Sequence, residues 1–235
     1  MPVRYTDMGA LQGMALEVTT KDCTALSDSE LAEMADLCAE GPSCYEVGLL
    51  SKQAEAWVLI TLVREGNHLR GFSFSTLERI GGTPCVLIGL ASVKRSSRRD
   101  SILKAIMADE YRRAVLAFPD EDVLVGTRFT NAGGFEAFRT LQDIVPRPDH
   151  KATGEERAWG RRLAKRFGIE NGTYDDHTFV VQGDGAFPLS LDHESLKPER
   201  IDADVAAQFD DLDGARADSL IAFGWAMAED LAKLS

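Results

Sequence analysis

The stretch Cys85-Val86-Leu87-Ile88-Gly89-Leu90-Ala91-Ser92-Val93, then Lys94-Arg95-Ser96-Ser97-Arg98-Arg99, then Asp100-Ser101-Ile102-Leu103, decides how the chain is read. Cys85–Val93 is a nearly unbroken apolar run of strand length, as expected of a strand covered on both faces. The spacing beyond it predicts a helix from Asp100 to Phe118. Ile102, Ala105, Ile106 and Asp109 lie along one line of that helix, and Leu103, Met107, Tyr111, Ala114 and Val115 along the next. Pro119-Asp120 stops it, and Asp122–Phe129 reads as a further strand. A buried strand that feeds a helix through a short turn presents the helix's first N–H groups at the strand's C-terminal end. Those donors have no partner inside the helix, and the helix dipole adds positive charge there. The turn also carries Lys94, Arg95, Arg98 and Arg99 in a chain of net charge -12, so it is a candidate anion clamp. The alternative is a solvated, charged helix entry capped by Asp100.

Upstream, Ala15–Thr20 fits a first strand. Leu26-Ser27-Asp28-Ser29-Glu30-Leu31 is a clear helix start, with Ser27 and Glu30 spaced as a capping box. Leu31, Met34, Ala35 and Cys38 continue its apolar face as far as Gly41-Pro42. A weaker helical pattern covers Tyr45–Ala56. Trp57–Val63 is a strand, joined through Arg64-Glu65-Gly66-Asn67 to a second at about Leu69–Leu77, where Phe72 and Phe74 share one face and Ser73 and Ser75 the other. Downstream, Gly134–Leu141 reads as a short helix and Glu155–Phe167 as a polar one. Thr178–Gln182 and Pro188–Leu191 read as short strands. Asp204–Phe209 and Ala215–Leu234 read as helical, the latter anchored by Leu220, Phe223, Trp225, Met227 and Leu231.

Charge and composition narrow the function classes. The 26 Lys and Arg against 38 Asp and Glu argue against a nucleic-acid partner, which needs a positive face to release counterions. No apolar stretch approaches the roughly 20 residues that span a bilayer, and the first residues lack a signal-peptide pattern, so a cytoplasmic protein without a membrane partner is expected. Cys23, Cys38, Cys44 and Cys85 have no CxxC spacing and no clustered histidines, so no metal site is expected. Cys38 and Cys44 suit either a bridge or reduced thiols.

Helix, strand hairpin, apolar strand, basic turn, long helix, strand and short helix, in that order over about Thr24 to Val145, resembles the GNAT superfamily of N-acyltransferases. In that family the turn after the apolar strand carries [Gln/Arg]-x-x-Gly-x-[Gly/Ala], whose N–H groups hold the pyrophosphate of acetyl-coenzyme A. Here Val93 precedes Arg98 by the family's five positions, and the turn reads Arg98-Arg99-Asp100-Ser101-Ile102-Leu103. Ser101 stands at the first glycine and Leu103 at the second small residue. Asn131 matches an asparagine at the end of the next strand, whereas Phe138 replaces the family's tyrosine general acid. No carboxylate interrupts Cys85–Val93. Glu78 is a candidate replacement base or a solvated strand-end charge.

The resemblance implies an α/β (α+β) fold: a mixed, mostly antiparallel central sheet flanked by helices. It places a GNAT-like domain over residues 1–190, with a C-terminal helical extension over 191–235. It implies acetyl-CoA or another acyl-CoA as co-substrate and a small-molecule or peptide amine as partner, with homodimerisation open. The cofactor residues it implies are Leu90, Ala91, Ser92, Val93, Arg98, Arg99, Asp100, Ser101, Ile102, Leu103 and Asn131. The main chain of Leu90–Val93 would align the pantetheine arm as an extra strand. Without a tyrosine at 138, two functions stay open: an acyl-CoA-dependent N-acyltransferase working by direct amine attack, and a non-catalytic GNAT-like ligand-binding or interaction module.

Other candidates read blandly. His68 lies in the hairpin, and His150, His177 and His193 lie in polar loops; Asp175-Asp176 before His177, and Asp192 and Glu194 around His193, resemble metal pairs but read as solvated loops. No Gly-x-Ser-x-Gly elbow is present.

Overall fold

Alternation with a period of two dominates the architecture. A computed structural model describes residues 3–5, 15–41 and 44–234. In chain order the elements are β1 (Val3–Tyr5), β2 (Leu16–Asp22), α1 (Asp28–Ala39), α2 (Val47–Ala56), β3 (Leu59–Glu65), β4 (His68–Ile80), β5 (Thr83–Val93), α3 (Arg99–Ala117) and β6 (Val123–Phe129). They continue with β7 (Gln142–Val145), α4 (Gly154–Arg166), β8 (Val180–Val181), β9 (Leu191–Asp192), α5 (Ala203–Ala207), β10 (Ser219–Ala226) and α6 (Ala228–Leu231). One sheet takes all the strands, in the order β1-β2-β3-β4-β5-β9-β6-β10-β7, with β8 also on β10. The strands β1 to β5 are antiparallel neighbours, β5, β9 and β6 run parallel, and β10 is antiparallel to β6. The expected mixed, mostly antiparallel sheet flanked by helices is what the chain forms.

The two faces of β4 separate the helices. Phe72 and Phe74 are fully buried with Met34, Leu37, Tyr45 and Leu50 of α1, α2 and their connection. Each such ring stabilises the fold by about 1.5–3 kcal/mol. The opposite residues, Gly71, Ser73 and Ser75, face α3. A Cβ on Gly71 would lie 2.7 Å from Ile102 Cγ2, so glycine is what allows α3 to lie this close to the strand. α1 starts as its sequence requires: the Ser27 hydroxyl accepts from the Glu30 N–H at 3.3 Å, and the Glu30 carboxylate accepts from the Ser27 N–H at 2.8 Å. Pro42, expected to end this helix, falls outside the described residues. α4 packs with α1 and α2 on the same face, through Leu163 against Gly126 and Phe167 against Trp57.

The C-terminal helical extension is not formed. Ser219–Ala226 is strand β10, inserted between β6 and β7 and paired with β6 over Leu220–Ala226, and only Ala228–Leu231 and a 3-10 turn follow. Ser-Leu-Ile-Ala-Phe-Gly-Trp-Ala is buried on both faces, so it shows no polar alternation, and its apolar residues fit a helical spacing by coincidence. Residues beyond 190 thus complete the sheet instead of packing outside it. Gly134–Leu141 likewise forms a 3-10 segment, Ala132–Phe138, followed by the unforeseen strand β7. All four cysteines are free thiols; Cys23, Cys38 and Cys85 are buried and Cys44 is exposed. Among the described residues no helix is long and apolar enough to cross a membrane.

Beneath α3 lies a polar layer. Asp109 accepts from the Thr20 hydroxyl at 2.6 Å and from Arg113 at 2.8 Å, and it pairs with Arg112. Burial alone would raise its pKa, but the bonds from Thr20, Arg113 and Arg112 outweigh it and lower the pKa. Its neighbour Glu110 is fully buried beside Thr61 and Ser75, and burial pushes its pKa up to about 7. In the unfolded chain the same group titrates near 4.5. Between these two values the folded state holds a proton that the unfolded state has lost, so stability falls as pH rises from about 4.5 to 7. Glu110→Gln removes this dependence. It should stabilise the fold at pH 8 relative to the parent by about 1–3 kcal/mol, seen as a higher melting temperature, and leave little difference at pH 4.5. Parallel melting curves across that window check it, and equal slopes in both proteins would refute the assignment.

Candidate functional site

The sheet forks at its centre. β5 and β6 pair only over Cys85–Leu87 and Leu124–Gly126. Beyond that point β5 carries one extra residue: Ser73 of β4 faces Ala91 and Ser75 faces Ile88, which leaves a bulge at Gly89–Leu90. The Thr127 hydroxyl donates to the Ile88 carbonyl at 2.9 Å, closing the apex of the fork. Trp57 covers Gly89 on the side of α1 and α2. The basic turn and the start of α3 stand at the open end.

The fork is filled by the chain itself. β9 lies between its two arms, with Leu191 opposite both Ala91 and Phe129 and Asp192 opposite Ser92. The Ala91 N–H donates to the Ser190 carbonyl at 3.2 Å. The Tyr45 hydroxyl donates to the Pro188 carbonyl and anchors the approach to β9. Past β9, buried His193 places Nδ1 3.2 Å from the Gly133 carbonyl and Nε2 3.3 Å from Asp100. Burial lowers the pKa of His193 against the opposing pull of that carbonyl and of Asp100. His193 is therefore not the solvated loop residue expected from its polar neighbours. β9 draws it under the start of α3.

The basic turn is matched by the acids around this histidine. Arg95 pairs with Asp192 at 3.1 Å and with Glu194 at 3.4 Å. Arg99 donates to the Glu194 carbonyl, Arg98 pairs with Glu65, and Lys94 pairs with Glu40 at 2.8 Å. α3 opens at Arg98 without a side-chain cap from that residue; the Arg98 N–H donates to the Ser96 hydroxyl at 3.3 Å and the Arg99 N–H to the Ser96 carbonyl at 3.1 Å, which leaves the N–H groups of the next residues to an outside acceptor. Asp100, expected as an alternative cap, instead faces His193. The Nε of buried Arg99 has no acceptor among the described residues. An uncapped helix start with spare guanidinium donors suits an anion.

The residues singled out from the sequence gather here, in differing roles. Leu90 is buried on the α1 and α2 side, Ala91 and Ser92 pair with β9, and Val93 pairs with Gly71. Arg98, Arg99, Asp100 and Ser101 form the turn and the first helical residues. Ile102 packs over Gly71, and Leu103 turns its side chain inward, 2% exposed, at the edge of a groove of about 700 Å³ between α3 and the C-terminal residues. The Asn131 side chain accepts from the Gly134 N–H at 3.3 Å and starts the 3-10 segment. Phe138 is fully buried against Phe129 and Phe135. Glu78 pairs with Arg166 at 2.7 Å at a strand end, away from the fork. Among the described residues no three His, Cys, Asp or Glu side chains converge as a metal site.

Strand hairpin, apolar strand, basic turn, long helix and a further strand follow one another in the order that the GNAT resemblance implies. The fold is GNAT-like. Solved structures similar to this chain include the ribosomal-protein-S18-alanine N-acetyltransferase from Escherichia coli, at 9% identity and TM-score 0.44 over 89% of this chain and 94% of that one. An aminoglycoside N-acetyltransferase in complex with CoA is similar at 12% identity and TM-score 0.37, over 69% and 92%. An acetyltransferase of Bacillus subtilis in complex with CoA is similar at 14% identity and TM-score 0.38, over 90% and 99%. Likeness at this level carries nothing about the site. No protein-family model and no curated protein matches the chain.

The sequence marks Pro188–Leu191 as a short strand, which overlaps β9 at Leu191, but not its place in the fork, and it gives Tyr45 and Thr127 no role there. One signal was available: the acid pair Asp192 and Glu194 complements the basic turn in charge. The packing of this strand rests on Gly133, where a Cβ would lie 2.5 Å from the Ser195 nitrogen and 2.9 Å from the His193 carbonyl oxygen, both rigid backbone atoms. Gly133→Ala should therefore loosen residues 188–195 selectively. Hydrogen exchange at Ala91 and Leu191 is expected to quicken at least tenfold while that of β3 and β4 stays unchanged. Uniform protection in both proteins would show that the strand is held elsewhere.

Proposed function

We propose that the chain is an acyl-coenzyme A-dependent N-acyltransferase whose coenzyme groove is closed by its own strand β9 until the co-substrate displaces it. One observation carries this reading. β9 satisfies the same groups that a pantetheine arm and a pyrophosphate would satisfy, namely the main-chain edge of Ala91 and Ser92 and the cations Arg95 and Arg99. Segment 190–194 is thus an internal stand-in of matching polarity: extended backbone, then negative charge at a helix start. The fit of the residues themselves supports it. The α3 N-terminus is uncapped, Arg99 keeps an unused donor, and Leu103 is turned aside.

In this reading a neutral amine attacks the thioester carbonyl near the bulge at Leu90. The C–N bond forms, the C–S bond breaks, and the proton lost by the nitrogen passes through water to the departing thiolate. Phe138, buried and without a proton to give, takes no part. The protein's share is positioning and a dry, preorganised strand edge. Displacement of β9 sets the affinity. If the open form is one molecule in a hundred, the apparent affinity falls about a hundredfold, or about 2.7 kcal/mol.

A second reading, a GNAT-like ligand-binding or interaction module without catalysis, is favoured by the depth at which β9 is held: Leu191 is 1% and His193 2% exposed. One experiment separates the two. Calorimetric titration of acetyl-CoA and coenzyme A into the parent and into Asp192→Asn/Glu194→Gln should show saturable binding, tighter by about tenfold (~1.4 kcal/mol) in the variant, which frees Arg95 for the pyrophosphate. Absence of binding in both proteins would reject the transferase and favour the module.

A further inference from the structure

Across the fork from α3, on the face covered by α1, α2 and α4, Arg128 has no carboxylate partner among the described residues. Arg128 follows Thr127 in β6 and points to the side of Gly126, against which Leu163 of α4 packs. Its Nε and Nη2 donate to the Ser219 hydroxyl at 3.2 and 2.8 Å. A guanidinium has five N–H donors, so three are left without a protein acceptor among the described residues. Arg95, Arg98, Arg112, Arg113 and Arg166 each have a carboxylate, whereas none of the ion pairs includes Arg128. Burial lowers its pKa to about 10, which leaves it charged at neutral pH, and the Tyr45 phenol is the ionisable group that acts on it. A mostly buried cation without a partner is costly, and proteins pair or coordinate such charges.

Its position bears on what those donors could hold. Leu87 of β5 faces Gly126, and Ile88 receives the Thr127 hydroxyl, so Arg128 lies level with Gly89 at the bulge. Trp57 covers Gly89 from the same face, and the Tyr45 phenol that acts on Arg128 donates to the Pro188 carbonyl. If the proposed transferase reading holds, an amine reaches the thioester from this face, because α3 closes the other.

We propose that Arg128 binds the carboxylate of the acceptor, which makes the acceptor a small amine bearing a carboxylate, such as a free α-amino acid. The planar edge of one guanidinium matches a planar carboxylate in two parallel hydrogen bonds. No second Lys or Arg acts on the group, as the higher charge of a phosphate would call for. The Ser219 hydroxyl fixes the plane of the guanidinium by engaging Nε and Nη2, and the remaining donors face the ligand. In a chain of net charge -12 an anion is repelled at long range, so recognition of a carboxylate depends on such a local cation.

The test uses the full chain and a panel of L-amino acids, each paired with the amine that lacks its α-carboxylate. The Nε–H resonance of Arg128, assigned by its loss in Arg128→Lys, should shift saturably with at least one amino acid and not with the matching amine. Ser219→Ala should weaken that binding about tenfold with the fold intact. Where acetyl-CoA supports turnover, kcat/KM should favour the amino acid at least a hundredfold, and Arg128→Gln should erase the preference through KM while kcat is largely kept. An Arg128 signal unmoved by the whole panel overturns the proposal, and so does acetylation of amino acids and plain amines at equal rates. Amino-acid binding without any coenzyme binding keeps the carboxylate site and rejects the transferase. Should Arg128→Gln fail to fold, the titration of the parent and of Ser219→Ala still decides.

Discussion

Two parallel strands that part company leave main-chain N–H and C=O groups facing one another across a gap too wide for direct bonding. Buried groups of this kind must find partners. In this protein β5 and β6 part after Leu87 and Gly126, and the demand is met by the Thr127 hydroxyl at the apex and by β9 along the arms. The long return from α4 to β10 has to pass through the fork to supply β9, and β10 then closes the sheet against β6. Much of the second half of the chain is therefore organised around a gap created by the first.

Charge follows the same constraint. The basic turn would repel itself if left alone, with several cations within a few residues. Glu65, Glu40, Asp192 and Glu194 converge on it from the strand hairpin, α1 and the segment after β9. These pairs are partly exposed, and such pairs individually contribute about 0–1 kcal/mol. They therefore direct where residues 192–194 lie more than they stabilise the fold. Leu191, wedged between Ala91 and Phe129, carries the larger apolar term.

What was legible in the sequence is what depends on local pattern. The capping box at Ser27, the hairpin with Phe72 and Phe74 on one face, the apolar β5 and the long α3 all declare themselves within a dozen residues. Ser219–Ala226 did not, because a strand buried on both faces loses its alternation, and Leu220, Phe223 and Trp225 then pass for a helical stripe. β9 did not declare its place in the fork either. It is two residues long and polar on one side, and it is a strand only because β5 and β6 offer it edges. The candidate site was half legible for the same reason. The basic turn and the uncapped start of α3 are local, whereas His193 against Gly133 and Arg128 against Ser219 depend on contacts 60 and 91 residues apart.

The two faces of the fork differ in how completely the chain satisfies itself. On the α3 side the cations of the turn find acids, the strand edges find β9, and His193 finds a carbonyl. On the α1 and α2 side Arg128 is left with a single hydroxyl. A chain that neutralises one face by threading an acidic segment through it has the means to neutralise the other, since 38 acidic residues are at hand. Uncompensated charge beside a self-satisfied groove is a state that ligand binding improves. Tyr45 ties the two faces together, because its hydroxyl holds the Pro188 carbonyl at the entry to β9 while the same phenol acts electrostatically on Arg128. An anion that settles on Arg128 changes the field at that phenol, and so bears on the anchor that keeps the groove shut. By linkage, any bias that the acceptor exerts on the groove is returned by the coenzyme on the acceptor.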